Sequence, residues 1–333
     1  MRALERGADH LVHDYDTALL DLDGVLYIGP DAVEGAPEAV QQARNAGMRV
    51  AFVTNNASRT PDAVAKHLGE LGVSATAEDV VTSAQAAATM LAERLPAGSR
   101  VLVVGGEGLV AALRERGLEP VSSADDDPAA VVQGYAPEVG WAQLAEGAYA
   151  VGRGLPWIAS NLDRTLPTAR GTAPGNGALV GVITVATGVR PVAAGKPELP
   201  LHQEAVRRTG AGHPLVVGDR LDTDIEGANR AGTDSLLVLT GVDGPADLLA
   251  AEPGLRPTYV AADLRTGLFD PHPEVTGNGS DRSCGGWSVS CSGGRWQVDG
   301  DGDKVAGLRA LCVAAWTAGS GPDPAAALPA LGW

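Results

Sequence analysis

The chain has 333 residues, 44% of them hydrophobic, with 41 acidic against 25 basic side chains and a formal net charge of −16. That length and apolar content support a sizeable core and more than one domain, and the negative charge makes nucleic acid and anionic membrane surfaces poor partners. No apolar run has the length of a leader or a membrane span, and the three cysteines (Cys284, Cys291 and Cys312) are odd in number and lie near the C-terminus; a cytoplasmic protein without a disulfide framework is expected.

His10 and His13 stand at helical spacing and could ligate a metal, but a mobile terminus of mixed charge is the plainer expectation. The apolar run Ala18-Leu19-Leu20 then ends in Asp21-Leu22-Asp23-Gly24-Val25, which sets two carboxylates where a buried strand emerges. An isolated D-x-D is most often a turn former. Here three later runs end in the same way: residues 50–53 before Thr54-Asn55-Asn56, residues 192–194 before Gly195-Lys196-Pro197, and residues 215–217 before Gly218-Asp219-Arg220-Leu221-Asp222-Thr223-Asp224. Each is short, branched and without alternation, as in a parallel strand covered on both faces. Amphipathic helices are predicted over 37–46, 61–71, 199–209 and 223–231, with Gly47, Gly72, Gly210 and Gly232 as stops. Repeated strand-helix units make an α/β fold with a doubly wound parallel sheet, and right-handed crossovers bring the four polar clusters to the edge where such sheets bind ligands.

Residues 83–190 exceed any ordinary crossover and are expected to be an inserted α/β domain, with strands at 101–104, 130–132 and 157–159 and helices at 109–116 and 141–151. Gly106-Glu107-Gly108-Leu109-Val110-Ala111 fits a dinucleotide fingerprint, but tight strand-to-helix packing explains its glycines. Residues 160–177 read as a rigid loop rich in Gly and Pro, in which Asn161, Asp163, Arg164 and Arg170 could bind hydroxyls or negative charge. The core is then discontinuous, 1–82 and 191–265. The remaining 266–333 is a short α+β extension: a linker at 277–281, a hairpin around Gly293-Gly294 and an amphipathic helix over 305–318, docked on the core or on another subunit.

These side chains suit one reaction class. A phosphate monoester is a dianion, so an attacking carboxylate needs cations to screen both; Asp21 and Asp219 offer hard oxygens to Mg²⁺, and Lys196 adds a second cation. Only Lys66, Lys196 and Lys304 are lysines in a chain that otherwise uses arginine, which makes the one beside a strand end notable. Thr54, Asn55 and Asn56 offer donors for phosphoryl oxygens. Asp21 would attack phosphorus while Asp23 serves as acid and then base.

In this order the motifs resemble those of the haloacid dehalogenase superfamily, in its branch of phosphatases with a large inserted cap, over residues 16–264. The resemblance implies a Rossmann-like core, Mg²⁺ as cofactor, Asp21 as nucleophile, Asp23 as acid/base, Lys196 as charge neutraliser, a metal site drawn from Asp21, Asp23, Asp219 and Asp224, and substrate contacts from Thr54, Asn55, Asn56, Lys196 and, in the cap loop, Asn161 and Arg164. Similar vitamin B6 phosphatases carry a His where Leu166 aligns. A small aliphatic monoester is therefore expected, glycerol 3-phosphate first. Phosphoglycolate, pyridoxal phosphate or a non-catalytic metabolite-binding role are the alternatives. The tail resembles a fragment of an acetyltransferase fold, and a homo-oligomer through the cap or the extension is left open.

Overall fold

The computed structural model describes residues 3–168, 170–319 and 321–333. Its main sheet has six strands in the order Tyr259–Ala261, Asp234–Val238, Pro214–Gly218, Thr17–Leu20, Arg49–Thr54, Val80–Thr82. The order grows one way from Thr17–Leu20 and later the other way from Pro214–Gly218. These two strands pair in parallel, Leu20 opposite Val217, so the topological reversal, where ligands bind in such sheets, falls between them. Packing divides the chain into two compact units, Met1–Val50 with Ala211–Trp333, and Ala51–Gly210.

In the first unit the helix Ala36–Asn45 starts with a proline in its first turn, and Gly47 follows it at φ +92, left-handed backbone that Gly adopts without strain. The turn Leu221–Ile225 leads into the helix Glu226–Ala231, a π-type start where one regular helix from Thr223 is expected; such bulges occur at functional sites.

The extension belongs to this unit and is ordered throughout its described length. Residues 277–281 are not a linker: Thr276–Asn278 and Asp281–Cys284 pair antiparallel and continue through Trp287–Ser292 and Arg295–Gly300 into one four-stranded sheet. The helix Lys304–Ala318 follows, capped by the Asp303 carboxylate on Val305 N and Ala306 N. It is buried on every side from Val305 to Ala314, not amphipathic, because its small residues let the sheet and the core close in from both directions. Leu308 and Leu311 share one apolar cluster with Leu221, Ile225, Leu237 and Leu248, and Trp316 Nε1 donates to Leu249 O at 3.1 Å. The extension therefore docks on its own core. Arg309, 1% exposed, donates to the backbone oxygens of Pro273, Leu4 and Arg6 at 2.7, 3.0 and 2.8 Å. With Leu4 fully buried and Ala8 bridged to His272, the described amino-terminal segment is tied down rather than mobile, and His10 Nδ1 bonds Phe269 O at 2.6 Å.

In the second unit a five-stranded parallel sheet runs Val192–Ala193, Trp157–Ala159, Ala130–Gln133, Arg100–Val104, Glu119–Val121. The run at 192–194 thus joins the sheet of the insertion, paired with Ile158 and Ala159, and not the main sheet as its composition suggested. Leu102, Val131, Trp157 and Ile183 centre this core. The supposed loop 160–177 contains a hairpin, Thr165–Thr168 with Gly171–Pro174, and runs into the helix Asn176–Thr187. No helix among the described residues is long and apolar enough to cross a membrane.

Candidate active site

Asp21 follows the strand Thr17–Leu20, its N–H donating to Val217 O at 2.9 Å, and Asp219 follows the neighbouring strand Pro214–Gly218. The turn Leu221–Ile225 folds Asp224 back onto them, so that carboxylate oxygens of Asp21, Asp219 and Asp224 all lie within 4.8 Å of one another. Asp219 and Asp224 are each 1% exposed. Three like charges at this spacing in a poorly solvated place repel strongly and call for a cation. The donor set fits a hard divalent ion such as Mg²⁺, whose octahedral ligands at about 2.1 Å put opposite oxygens about 4.2 Å apart.

Backbone and glycines set this geometry. Asp219 Oδ2 accepts from Val242 N at 2.8 Å and Asp224 Oδ2 from Arg220 N at 3.2 Å. A Cβ on Gly24 or Gly241 would overlap the Asp219 carboxylate, and one on Gly218 the Asp224 carboxylate. Gly24 also has φ +81 and is held by Thr240 Oγ1 donating to its carbonyl at 2.5 Å. The loop is braced from beneath by Asp243, which accepts from Leu221 N at 2.6 Å; burial pushes its carboxyl up from the ordinary range. Asp23, counted with the metal carboxylates on sequence grounds, stands outside the three-residue group: it is exposed, and its backbone bridges Tyr27.

In the second unit the motif residues form a hydrogen-bonded knot. Asn55 Oδ1 accepts from Lys196 N at 2.8 Å, and Asn55 Nδ2 donates to Lys196 O at 3.1 Å and to the Asp163 carboxylate at 3.2 Å. Lys196 Nζ donates to Val53 O at 3.1 Å. A Cβ on Gly195 would strike Asn55 Oδ1 and Ser160 O. Thr54 is 4% exposed and its Oγ1 accepts from Asn56 N at 3.1 Å, which leaves the hydroxyl proton to donate.

Profiles of known families match the chain in three places: haloacid dehalogenase-like hydrolase over residues 18–119, a second profile of the same family over 193–267, and a GCN5-related N-acetyltransferase like domain over 284–333. The D-glycerol 3-phosphate phosphatase of Mycobacterium tuberculosis is 46% identical over 324 residues, 92% of this chain and 88% of that protein. The chain is a haloacid dehalogenase-like hydrolase. A crystal structure of the glycerol phosphate phosphatase of M. tuberculosis in complex with magnesium superposes with a TM-score of 0.86 at 47% identity, covering 93% of this chain and 92% of that one. The acid sugar phosphatase of Staphylococcus aureus is 38% identical over 77% of this chain and 98% of its own length. The acetyltransferase-like match agrees with the fragment expected in the tail.

In this hydrolase several polar side chains that the sequence offered to a ligand also have partners within the protein. The Asn55 amide has both ends engaged within the protein. Asn56 Oδ1 accepts from Ser58 N and Ser58 Oγ, both at 2.8 Å, and so shapes its own turn. Asn161 is 6% exposed; its Nδ2 donates to Asn55 O at 2.7 Å and its Oδ1 accepts from Asp163 N. It braces the Asn55 loop. Arg164 is exposed. The glycines of the apparent dinucleotide fingerprint serve packing: Gly106 lies near Ala136, and a Cβ on Gly108 would run into Ala57 O and Arg59 O. Missed altogether were Ser83, whose Oγ donates to Asn55 O at 2.6 Å, and Asn176, whose Nδ2 donates to Asn161 O at 2.7 Å; a serine and an asparagine that open helices carry no separate signal.

Proposed function

We propose that this haloacid dehalogenase-like hydrolase is a Mg²⁺-dependent phosphatase that releases glycerol and phosphate from glycerol 3-phosphate in the cytoplasm. The grouping of Asp21, Asp219 and Asp224 carries the reading, and the likeness to the glycerol 3-phosphate phosphatase of M. tuberculosis over most of both chains supports the substrate. When bound among these carboxylates, Mg²⁺ supplies positive charge that screens the phosphoryl oxygens from Asp21.

An Asp21 oxygen attacks phosphorus, and the bond from phosphorus to the glycerol oxygen breaks as Asp23 gives that oxygen its proton. Asp23, now a carboxylate, takes a proton from water; the water oxygen attacks phosphorus, the aspartyl-phosphate bond breaks, and Asp21 is regenerated with release of phosphate. The exposed position of Asp23 suits a group that must meet first an alkoxide and then water. Lys196 and the Thr54 hydroxyl stabilise the phosphoryl oxygens. In this reading residues 1–82 and 191–265 form the core, 83–190 the cap and 266–333 the extension. Leu166, in the cap hairpin, presents no hydrogen-bonding group to an aromatic ring nitrogen. Phosphate release from glycerol 3-phosphate, phosphoglycolate and pyridoxal 5′-phosphate, with and without Mg²⁺, tests the assignment. Turnover is expected to be highest on the first and to require the metal; no turnover on any ester by folded protein refutes it.

A further inference from the structure

We infer that Asp163 is a positioning residue: by holding the Asn55 amide in a single orientation it fixes the backbone of Lys196. The inference rests on the reading of Lys196 as the cation that stabilises the transferring phosphoryl group. An asparagine amide has two nearly isosteric ends, and only its neighbours decide which way it faces. Here they leave no choice. Lys196 N–H can only donate, so it requires the amide oxygen; Lys196 O and the Asp163 carboxylate can only accept, so both require the amide nitrogen. Asn55 thereby grips both backbone groups of Lys196, as a neighbouring strand would.

The Asp163 end is itself fixed. Its N–H donates to Asn161 Oδ1 at 3.2 Å and its carbonyl accepts from Gly177 N at 2.8 Å; a Cβ on Gly175 would collide with that carbonyl, and one on Gly177 would sit 3.1 Å from it. The opposite side of the knot is pinned where Ser83 Oγ and Asn161 Nδ2 meet the Asn55 carbonyl. A flexible four-carbon stem places a point charge well only if its root is immobile.

The test uses the full chain with glycerol 3-phosphate and Mg²⁺. Asn55→Asp sets a carboxylate against Asp163 and Lys196 O, and kcat is expected to fall on the order of 100-fold with KM little changed. Asp163→Asn alone is expected to do little, because its amide oxygen still accepts. Combining the two reverses the polarity of the contact, with the amide introduced by D163N donating to the carboxylate introduced by N55D, and about tenfold of the lost kcat should return. Losses in the double variant equal to the product of the single losses overturn the inference. Should N55D fail to fold, D163A against D163N decides: D163A is expected to lose about tenfold in kcat at an unchanged thermal midpoint, and wild-type kcat in D163A overturns it. Lys196→Met separates this from the underlying reading. If K196M keeps its turnover, the role of Lys196 is wrong; if K196M is inactive and the paired variant shows no recovery, only the role of Asp163 is.

Discussion

In residues 1–50 and 211–333 three carboxylates are held within 4.8 Å of one another, whereas in residues 51–210 the backbone of Lys196 is gripped by the Asn55 amide and its Nζ donates to Val53 O. The first arrangement brings like charges together, which a cation relieves; the second pairs each donor with an acceptor. Glycines make the first possible by vacating the space the carboxylates occupy. The second is held by hydrogen bonds between the Asn55 amide, the Lys196 backbone and Asp163. The same kind of substitution should therefore have opposite side effects in the two places.

The largest expected effect is at Asp21. Asn there removes the proposed nucleophile, and turnover should fall by on the order of 10⁶-fold, while the thermal midpoint stays level or rises because one of three mutually repelling charges is gone. Phosphate release and a melting curve on the same preparation check both halves of this statement; wild-type activity in the variant refutes the assignment, and a sharp loss of stability refutes the picture of a strained cluster. Lys196→Met should lose about 3 kcal/mol of transition-state stabilisation, visible in kcat, without altering the concentration of Mg²⁺ that gives half-maximal rate. If only KM changes, Lys196 binds substrate but does not serve the transition state. Gly241→Ala should do the reverse. Its methyl group displaces the Asp219 carboxylate, so the Mg²⁺ requirement is expected to rise about 10–100-fold, as when partners of metal ligands are removed, with kcat at saturating metal affected less. An unchanged metal titration would mean that Asp219 can move aside at no cost.

The same contrast explains what the sequence made legible. Aspartates, glycines and a rare lysine at strand ends name their chemistry by residue type, and Gly47, Gly72, Gly210 and Gly232 all adopt the left-handed backbone expected after a helix. The amides of Asn55 and Asn161 do not, because an amide can serve a ligand or a neighbouring loop and only the folded partners decide. Residues 192–193 make a strand too short to reveal which sheet it joins. The helix Lys304–Ala318 reads as amphipathic since alanine and glycine are neutral in a polarity pattern, yet those small residues are what allow its full burial. Asp23 falls outside the carboxylate group because the chain leaves the extended path there: Leu26 N turns back onto Leu22 O and Gly24 takes φ +81, so the i, i+2 spacing that would set both aspartates on one face of a strand no longer does.

Glu204 offers a third arrangement and the smallest expected effect: a carboxylate whose cations are the protein's own. Its side chain is 2% exposed and is met by Arg116 at 2.9 Å, Arg208 at 2.6 Å, Arg207 and the Thr89 hydroxyl, joining the helices Ser83–Ala92 and Leu199–Thr209. Burial alone would push its carboxyl up, but Arg207 and Arg208 hold it below the ordinary glutamate value. A depressed carboxyl contributes stability above the unfolded-state value and loses it as pH falls through the lower folded-state value. Glu204→Gln is therefore expected to cost about 1–3 kcal/mol near neutral pH, discounted for arginines that reach into solvent, and to lose less further stability than the wild type below about pH 4. Urea unfolding between pH 7 and pH 3 measures the difference. If the two proteins lose stability in parallel down to pH 3, the guanidinium groups do not depress Glu204; if they converge, the chain's own arginines serve this carboxylate as a bound Mg²⁺ would serve the carboxylates at Asp219.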